Sequence, residues 1–361
     1  MMPRIVSGLF RKANRALCKV RLKTGLYHKS ALPEYDFSYL QEKWPYVKPD
    51  CVRDDFHRAG ADGVDLTICV PMYNAETYIE DLLRAIDRQE TEYSFEAILV
   101  DDGSTDRTAE VVSRYIKDKE HFVLIRQENG GASAARNTAI DHARGEYLCF
   151  ADSDDPISDD YIQSLMSAAK TNDADIVKGD YCIKRGDTII PMGEASGFVC
   201  GGVYRASLFD RVRFPASFWF EDMINHFLIT PQAKKKLHIN HVVFYYVDAE
   251  GSASKVQTGA RSYKALDHLY LILSLAEDYK KLGLSDRAYL HERLVVECSS
   301  LMVERTAGLD EPTRTQAFLA CSRLFRKEEV DPARFSGADR VFAEAILNGD
   351  YDAWKLAANL C

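Results

Sequence analysis

The sequence predicts an α/β fold, in which a mostly parallel sheet carries helices on both faces and is followed by a helical C-terminal region. Between residues 66 and 181, five short apolar runs alternate with stretches whose apolar residues recur at helical spacing. Strands that form near-continuous apolar runs are buried on both faces, which is typical of parallel sheets. Polar clusters follow three of these strands, at the edge where such sheets bind ligands.

The predicted elements follow one another regularly. The strands are LTICVP, FEAILVDD, FVLIRQ, EYLCFAD and ADIVKGDY, which begin at residues 66, 95, 122, 146 and 174. Helices are predicted over residues 76–89, 108–118, 132–144 and 161–170. Beyond residue 185 the alternation loosens, and helical spacing returns at 220–229, 263–283 and 286–308. The pattern predicts a basic N-terminal helix and irregular extension (1–65), an α/β domain (66–255) and a helical C-terminal region (256–361).

Charge and cysteine content argue against several classes of protein. The 361 residues carry a net charge of -9, and every charged residue before Pro33 is basic. The remainder is therefore strongly acidic, which argues against nucleic acid as a partner. The nine cysteines include no CxxC pair, so we expect a reducing, cytoplasmic compartment and no zinc site. No run of 18 apolar residues is present, so no membrane span is predicted.

The first 30 residues have the pattern of a basic amphipathic helix. Apolar residues lie near one helical face, with basic residues around them: Ile5, Leu9, Ala13, Leu17 and Val20. That pattern suits a helix on an anionic membrane surface, and so peripheral contact with the inner face of the cell membrane. A helix docked on the chain's own domain and a frayed extension are equally compatible with it.

The stretch CFADSDDP, residues 149–156, ends an apolar run in closely spaced carboxylates. Asp152 and Asp154 share a face, because alternate residues of an extended segment point the same way. Two carboxylates in partial burial repel each other, and a divalent cation removes the repulsion. Oxygen ligands favour Mg²⁺ or Mn²⁺, whose ligand shell is usually completed by water and substrate phosphates. The stretch predicts a metal–diphosphate site, with an acidic turn that caps the next helix as the alternative.

Other polar clusters lie at the same predicted edge. Asp101 and Asp102 follow the second strand, where a carboxylate can accept an N–H of a base or bind ribose hydroxyls. Tyr73 follows the first strand and offers a flat face for base stacking. The glycines at 130–131 begin a helix whose free N–H groups favour anions, and Arg136 adds a fixed positive charge. Taken singly, each cluster is also compatible with a turn, a packed side chain or an ordinary helix start.

Four stretches, in order and at natural spacing, resemble the consecutive motifs of family 2 glycosyltransferases. They are VPMYNAETYIEDLLRAI, ILVDDGSTDRT, NGGASAARNTAI and GEYLCFADSDD, within residues 66–181. FPASFWFEDMINHFLI (214–229) resembles the family's later segment with an acceptor-side Glu–Asp pair, and YYVDAEGSAS (245–254) resembles the segment that often closes the catalytic domain. The resemblance implies a GT-A glycosyltransferase domain over 66–255. It also implies inverting transfer from a nucleotide sugar, with UDP favoured, to a glycan or lipid-linked acceptor in cell-surface polysaccharide synthesis.

The resemblance implies a role for each matching residue on the donor side. The implied nucleotide-sugar contacts are Pro71, Tyr73, Asn74, Asp101, Asp102, Arg136, Asp152 and Ser153. Tyr73 would stack on the base, and Asp102 would hydrogen-bond the edge of the base, with Asp101 beside it. Arg136 would help to hold the diphosphate.

The resemblance also implies the metal ligands and the catalytic base. Asp154 matches the acid that binds Mn²⁺ or Mg²⁺ directly, and Asp152 would bind ribose or the metal's ligand shell. Asp222 matches the usual base, with Glu221 as the second candidate. Such transfer needs a cation to stabilise the leaving diphosphate and a carboxylate to take the acceptor's proton. His226 lies four residues after Asp222 and could meet it on one helix face; a packed or solvated histidine is the alternative.

Departures from the family and rival functions narrow the expectation. Ala139 stands where the family commonly has glycine, and the sequence lacks the QxxRW motif expected of processive synthases. We therefore expect one sugar to be added per encounter. A sugar-phosphate nucleotidyltransferase would need a basic, glycine-rich loop after the first strand, where this chain has PMYNAE. A degenerate nucleotide-sugar-binding protein is disfavoured by intact Asp102, Asp154 and Asp222. The sequence carries no prediction of oligomeric state.

Overall fold

The structure is a computed structural model that describes residues 21, 24–25, 30–54, 63–248 and 262–358. The predicted N-terminal amphipathic helix and the end of the YYVDAEGSAS segment lie outside the described residues. The chain divides into two compact units. Described residues of the first unit fall within 1–48, 253–276 and 285–361, and those of the second within 49–252 and 277–284. The predicted domain boundaries stay predictions.

In the described residues, the second unit is built on an eight-stranded mixed sheet. The strands are β1 (Val64–Met72), β2 (Phe95–Asp101), β3 (Phe122–Arg126), β4 (Gly145–Phe150), β5 (Ile176–Arg185), β6 (Thr188–Glu194), β7 (Gly202–Arg205) and β8 (Lys236–Val247). Their order is β3-β2-β1-β4-β7-β5-β6, and β8 pairs with β5. The pairs β1–β2, β1–β4, β2–β3 and β5–β8 are parallel, whereas β6 and β7 run in the opposite direction.

Helices make up most of the remaining regular structure. Those described are α1 (Phe37–Lys43), α2 (Ile79–Asp87), α3 (Thr108–Ile116), α4 (Ala132–His142), α5 (Tyr161–Asn172), α6 (Leu266–Lys281), α7 (Arg287–Ser300), α8 (Glu311–Lys327), α9 (Gly337–Asn348) and α10 (Tyr351–Ala358). The predicted fold class, a mostly parallel α/β sheet with a helical C-terminal region, is confirmed. Among the residues that the structure describes, no helix is both long and apolar enough to cross a membrane.

Burial explains why these segments form these elements. In β1, residues 66–72 are all buried, as expected for a central strand covered on both faces. In α2, the buried residues Ile79, Leu82 and Ile86 recur at helical spacing. The register pairs Met72 of β1 with Asp101 of β2. The carboxyl ends of these strands therefore meet at one edge of the sheet, where the polar clusters lie.

The segment at 220–229 differs from a regular helix. Residues 221–222 form a turn, and a π-helix covers Asn225–Ile229. Phe220 has φ +66°, a left-handed value that is unfavourable for an aromatic residue and incompatible with an earlier helix start. Such outliers persist where the surroundings fix them, and they cluster at functional sites together with π-helical turns. The turn carries Glu221 and Asp222.

Candidate active site

Asp102, directly after β2, organises the glycine loop that begins α4. The residue is buried. Its Oδ1 accepts hydrogen bonds from Gln127 Nε2 at 2.7 Å and from the Gly130 N–H at 2.9 Å. Its Oδ2 accepts the Gly131 N–H at 2.7 Å. The N–H groups of Gly130 and Gly131, which the sequence analysis considered as an anion site, therefore donate to the Asp102 carboxylate.

The loops after β1 and β2 are tied together. Buried Asp101 accepts the Ser104 N–H at 3.0 Å and Arg126 Nε at 3.1 Å. Asn74, at φ +50°, accepts the Thr105 N–H at 2.9 Å through its side-chain oxygen, and asparagine tolerates this left-handed conformation well.

Tyr73 and Pro71 differ sharply in exposure at this edge. Tyr73 keeps 48% of its surface exposed, which leaves a ring face open for stacking. Pro71 is buried within β1. The roles of both residues in donor binding stay predictions.

Arg136 connects the acids that follow β4 with the acids of the 221–222 turn. It lies in α4 and is 4% exposed. Its Nη2 donates to Asp152 Oδ1 at 2.8 Å, and its Nη1 donates to Glu221 Oε1 at 2.9 Å and lies 3.9 Å from Asp222 Oδ1. The guanidinium also lies over the Phe214 ring, 5.4 Å from its centroid. Carboxylates engage this guanidinium on two sides, and its predicted contact with a diphosphate stays a prediction.

The acids after β4 repel one another. Asp154 is an exposed residue, yet partial desolvation of its carboxyl and the nearby charge of Asp152 raise its pKa. Asp155 is buried and accepts the Val247 N–H at 2.8 Å. Burial and the charge of Asp152 raise the pKa of Asp155 to about 8. Ser153, between Asp152 and Asp154, is buried.

The carboxylate oxygens of Asp152 and Asp154 are suitable ligands for a hard divalent cation. Within the described part of the chain, no group of three or more His, Cys, Asp or Glu side chains could hold a metal ion alone. Asp152 and Asp154 repel each other, as the raised pKa of Asp154 indicates. A cation that takes one or two carboxylates and completes its shell with water and phosphate oxygens suits such a pair.

Tyr78 is a site residue that sequence reasoning missed. It immediately precedes α2, its hydroxyl donates to the Asn74 carbonyl at 3.5 Å, and Ser153 beside Asp154 is close enough to lower the pKa of Tyr78. Burial and the charge of Asp154 raise the pKa of Tyr78. The available signal was weak, because one tyrosine at a helix start is more often a packing residue than a ligand contact.

Asp222 has the environment expected of a general base. Its side chain is 32% exposed, but its Oδ1 is buried and lacks a hydrogen-bond partner among the described residues. The pKa of Asp222 is raised to about 7. Burial is the main cause, Arg136 opposes it, and repulsion from Glu221 and Asp152 adds to it. A carboxylate with a pKa near neutrality is well matched to proton transfer. His226 is half-buried in the π-helical turn.

Comparison with known proteins identifies the family. The mostly parallel α/β sheet with its helices is the fold of the structural neighbours, which are GT-A type glycosyltransferases. Residues 67–248 match the model of Glycosyl transferase family 2. The match covers half of the chain, and the protein belongs to this family.

Curated relatives match part of the chain. Glycosyltransferase GlyA of Streptococcus pneumoniae is 29% identical over 222 residues, which covers 54% of this chain and 32% of GlyA. The uncharacterized glycosyltransferase EpsJ of Bacillus subtilis is 45% identical over 112 residues, covering 31% of this chain and 32% of EpsJ. A poly(ribitol-phosphate) beta-glucosyltransferase of Bacillus spizizenii is 37% identical over 117 residues, covering 32% of this chain and 18% of that protein. The chain thus spans a third or less of the length of these relatives.

Solved structures show the same fold. Residues 1–349 of Staphylococcus aureus TarS in complex with UDP-GlcNAc align with a TM-score of 0.64 at 20% identity, covering 81% of this chain and 90% of that one. The same TarS region with UDP aligns with a TM-score of 0.58 at 21% identity, covering 81% and 89%. At such identity the likeness establishes the fold.

Proposed function

We propose that the chain is an inverting, metal-dependent glycosyltransferase that moves one sugar per encounter from a nucleotide sugar, with UDP favoured, to a hydroxyl of a glycan or lipid-linked acceptor. The setting would be cell-surface polysaccharide synthesis at the cytoplasmic face of the membrane. One relative is named as a poly(ribitol-phosphate) glucosyltransferase, and TarS was solved with UDP-GlcNAc. The observation that carries the proposal is Arg136, whose one guanidinium holds the donor-side acid Asp152 beside the acceptor-side acid Glu221.

Asp222 would act as the base in a single displacement. The acceptor oxygen attacks the anomeric carbon, its proton passes to the Asp222 carboxylate, and the bond from that carbon to the diphosphate oxygen breaks. The configuration inverts because one bond forms as the other breaks on the opposite side. The raised pKa of Asp222, about 7, supports this role, since a base works best when its pKa lies near the working pH. Glu221 is already paired with Arg136, which favours Asp222 over Glu221.

The donor side would be held by the loops after β1, β2 and β4. Tyr73 would stack on the base, and Asp101, Asp102 and Asn74 would shape the surrounding loop. Asp154 and Asp152 would hold Mn²⁺ or Mg²⁺, which when bound stabilises charge on the leaving diphosphate. Arg136 would keep Asp152 oriented and offset its charge. Peripheral membrane contact through residues 1–30 stays a prediction.

The decisive test measures nucleoside diphosphate released from UDP-, GDP- and dTDP-sugars with Mn²⁺, Mg²⁺ or EDTA. We expect metal-dependent release from one donor. Asp154→Asn should lower it about 100-fold or more, because the metal's contribution is worth several kcal/mol. Asp159→Asn is the matched control, since Asp159 is an exposed acid of the same loop paired with Arg88.

Each other outcome has a distinct meaning. Near-normal Mn²⁺-dependent release by Asp154→Asn would contradict the metal assignment. Formation of a nucleotidyl product in place of nucleoside diphosphate would indicate a sugar-phosphate nucleotidyltransferase. Donor binding by calorimetry without turnover of any donor, even with acceptor extracts, would indicate a binding protein.

A further inference from the structure

Lys178, in β5, is a buried lysine that the proposed reaction does not use. It is 5% exposed. Its Nζ donates hydrogen bonds to the Phe198 carbonyl at 2.7 Å, the Cys200 carbonyl at 2.7 Å and the Tyr204 hydroxyl at 2.9 Å. An ammonium has three N–H donors, and all three are used. Burying a charge is costly unless it is fully hydrogen-bonded, so the arrangement is built around this side chain.

The backbone around the lysine leaves room for it. A Cβ on Gly202 would lie 2.5 Å from Lys178 Cδ, so glycine at this position makes space for the lysine stem. Gly201 has φ +71°, and a Cβ there would lie 2.5 Å from the Phe244 ring. The Tyr204 hydroxyl donates in turn to the Val199 carbonyl at 2.9 Å. Lys178 and Tyr204 together therefore hold three successive carbonyls, those of residues 198–200.

This loop supports the proposed base. The Val199 N–H faces the Asp222 carboxylate closely enough to lower its pKa. Asn225, three residues after Asp222, donates from Nδ2 to the Phe198 carbonyl at 3.2 Å. The loop held by Lys178 thus contacts the 221–225 segment through one backbone donor and one side-chain donor. The charge of Asp222 also raises the pKa of Lys178, against the effect of burial.

We propose that Lys178 is a positioning residue for Asp222: it fixes residues 198–200 so that the Val199 N–H holds the carboxylate, and its charge favours the ionised form of that base. The inference rests on the proposed function for its catalytic meaning. Its structural content, a lysine that sets the ionisation of Asp222, is tested separately below.

The charges around Asp222 and Lys178 determine in which direction the pKa of Asp222 changes when the lysine charge is removed. Asp222 faces Arg136 of α4, Glu221 of its own turn, Asp152 after β4, and Lys178 of β5. Lys178 itself faces Asp222, Cys200, Tyr204 and Glu194. Burial lowers the pKa of Lys178 to about 8, so the lysine still carries its charge at neutral pH. Removing that charge takes away an attraction for the ionised base, and the pKa of Asp222 should rise.

The first experiment compares wild type, Lys178→Met and Lys184→Met. Methionine keeps an unbranched side chain of similar length but removes the charge and the donors. Lys184 is an exposed lysine of the same strand, so Lys184→Met is the matched control. The ¹³C carboxyl signal of Asp222, assigned by its loss in Asp222→Asn, is titrated in each protein. We expect the Asp222 midpoint to rise by about half a pKa unit or more in Lys178→Met only.

The same variants are then assayed for transfer. Lys178→Met should lower kcat about tenfold or more and shift the acidic limb of the pH–rate profile to higher pH. Its KM for the donor should stay within about threefold of wild type, since a positioning loss falls on the chemical step. An Asp222 midpoint equal in Lys178→Met and Lys184→Met overturns the inference whether or not the protein transfers sugar. Absence of transfer by wild type overturns the proposed function and leaves the titration to decide the inference.

A milder variant covers the case in which Lys178→Met does not fold. Tyr204→Phe keeps the lysine charge but removes one of its partners and the hydrogen bond to the Val199 carbonyl. We expect the Asp222 midpoint to rise by about 0.3 pKa unit or more through lost positioning of the Val199 N–H. An unchanged midpoint in Tyr204→Phe would then overturn the inference.

Discussion

The acids at the end of β2, Asp101 and Asp102, and the acids that follow β4 differ in the groups that surround them. Asp101 and Asp102 accept hydrogen bonds from neighbouring N–H groups, including those of Ser104, Gly130 and Gly131. Asp102 holds the glycine loop at the start of α4, and Asp101 holds the loop that follows β2; their predicted contacts with the nucleotide stay predictions. The acids after β4 instead repel one another: the charge of Asp152 contributes to the raised pKa values of Asp154 and Asp155.

The difference indicates where a ligand is needed. A carboxylate that already accepts backbone N–H groups gains little from a cation, whereas a repelling pair gains a great deal. The same repulsion reaches Asp222, whose pKa Asp152 and Glu221 help to raise, and Arg136 offsets part of it. Clusters of perturbed titratable groups are typical of functional sites. The β2 side would therefore be preformed, and the β4 side would be completed by donor and metal.

Asp222→Asn should give the largest effect. Losing a general base typically costs about 10²–10⁴-fold in rate, so kcat should fall by that factor while the Kd for donor and metal stays near wild type. The wild-type rate should rise with pH and level off above about pH 7, because Asp222 must be ionised and its pKa lies near 7. Single-turnover rates over a pH series, with calorimetry for donor binding, check both statements.

Glu221→Gln is the matched comparison for the base. Glu221 is held by Arg136 at 2.9 Å, so its loss should alter the position of the guanidinium and lower the rate less than Asp222→Asn does. A larger loss in Glu221→Gln than in Asp222→Asn would reverse the assignment of the two acids. Equal loss of donor binding in both would mean that neither acts simply as a base.

Local sequence patterns predicted the β2 and β4 sides comparably well. Periodicity located β1, β2 and β4, and the position of the polar clusters at the strand ends followed from parallel packing. The sequence could not show that the acids at β2 are satisfied by hydrogen bonds while the acids after β4 repel one another. Asp102 is satisfied by Gly130 and Gly131, which lie 28 and 29 residues further along the chain, and nothing in the DDGSTD motif indicates that pairing.

Long-range contacts explain the other features that were missed. Arg136 and Glu221 are 85 residues apart in sequence, and Lys178 meets Phe198 and Cys200 only because β7 lies antiparallel between β4 and β5. A lysine within an apolar strand pattern gives no sign of what its ammonium contacts. Such contacts depend on tertiary packing, which outweighs local propensity.

Asp155 should make the unfolding free energy of the protein fall as pH rises. Its folded-state pKa is about 8 and its unfolded value is near 3.9, so the folded state binds the extra proton between these values. The stabilisation is complete below about pH 4 and is lost as pH rises through about 8. With metal chelated, the unfolding free energy of wild type should fall by on the order of 2–4 kcal/mol between pH 5 and pH 8.5. In Asp155→Asn this fall should be absent.

Denaturant titrations at the two pH values measure this difference. Asparagine can still accept the Val247 N–H through its side-chain oxygen, so the local hydrogen bond is kept. Asp159→Asn, at an exposed acid of the same loop, should leave the pH dependence as in wild type. If Asp155→Asn retained the wild-type pH dependence, Asp155 would be ionised in the folded state, and the electrostatic contrast between the β2 and β4 sides would be much weaker.

The smallest expected effect compares the two sides directly, by the same Asp→Asn change without ligand. In Asp102→Asn, the side-chain NH₂ faces N–H groups that need an acceptor, because both carboxylate oxygens are in use. An unsatisfied buried donor costs about 1–3 kcal/mol, so the unfolding free energy should fall by that amount. Asp154→Asn instead removes one charge from a repelling pair, so stability should stay equal or rise. Thermal and denaturant unfolding in EDTA measure both, and a loss in Asp154→Asn as large as that in Asp102→Asn would mean that Asp154, too, is scaffolding.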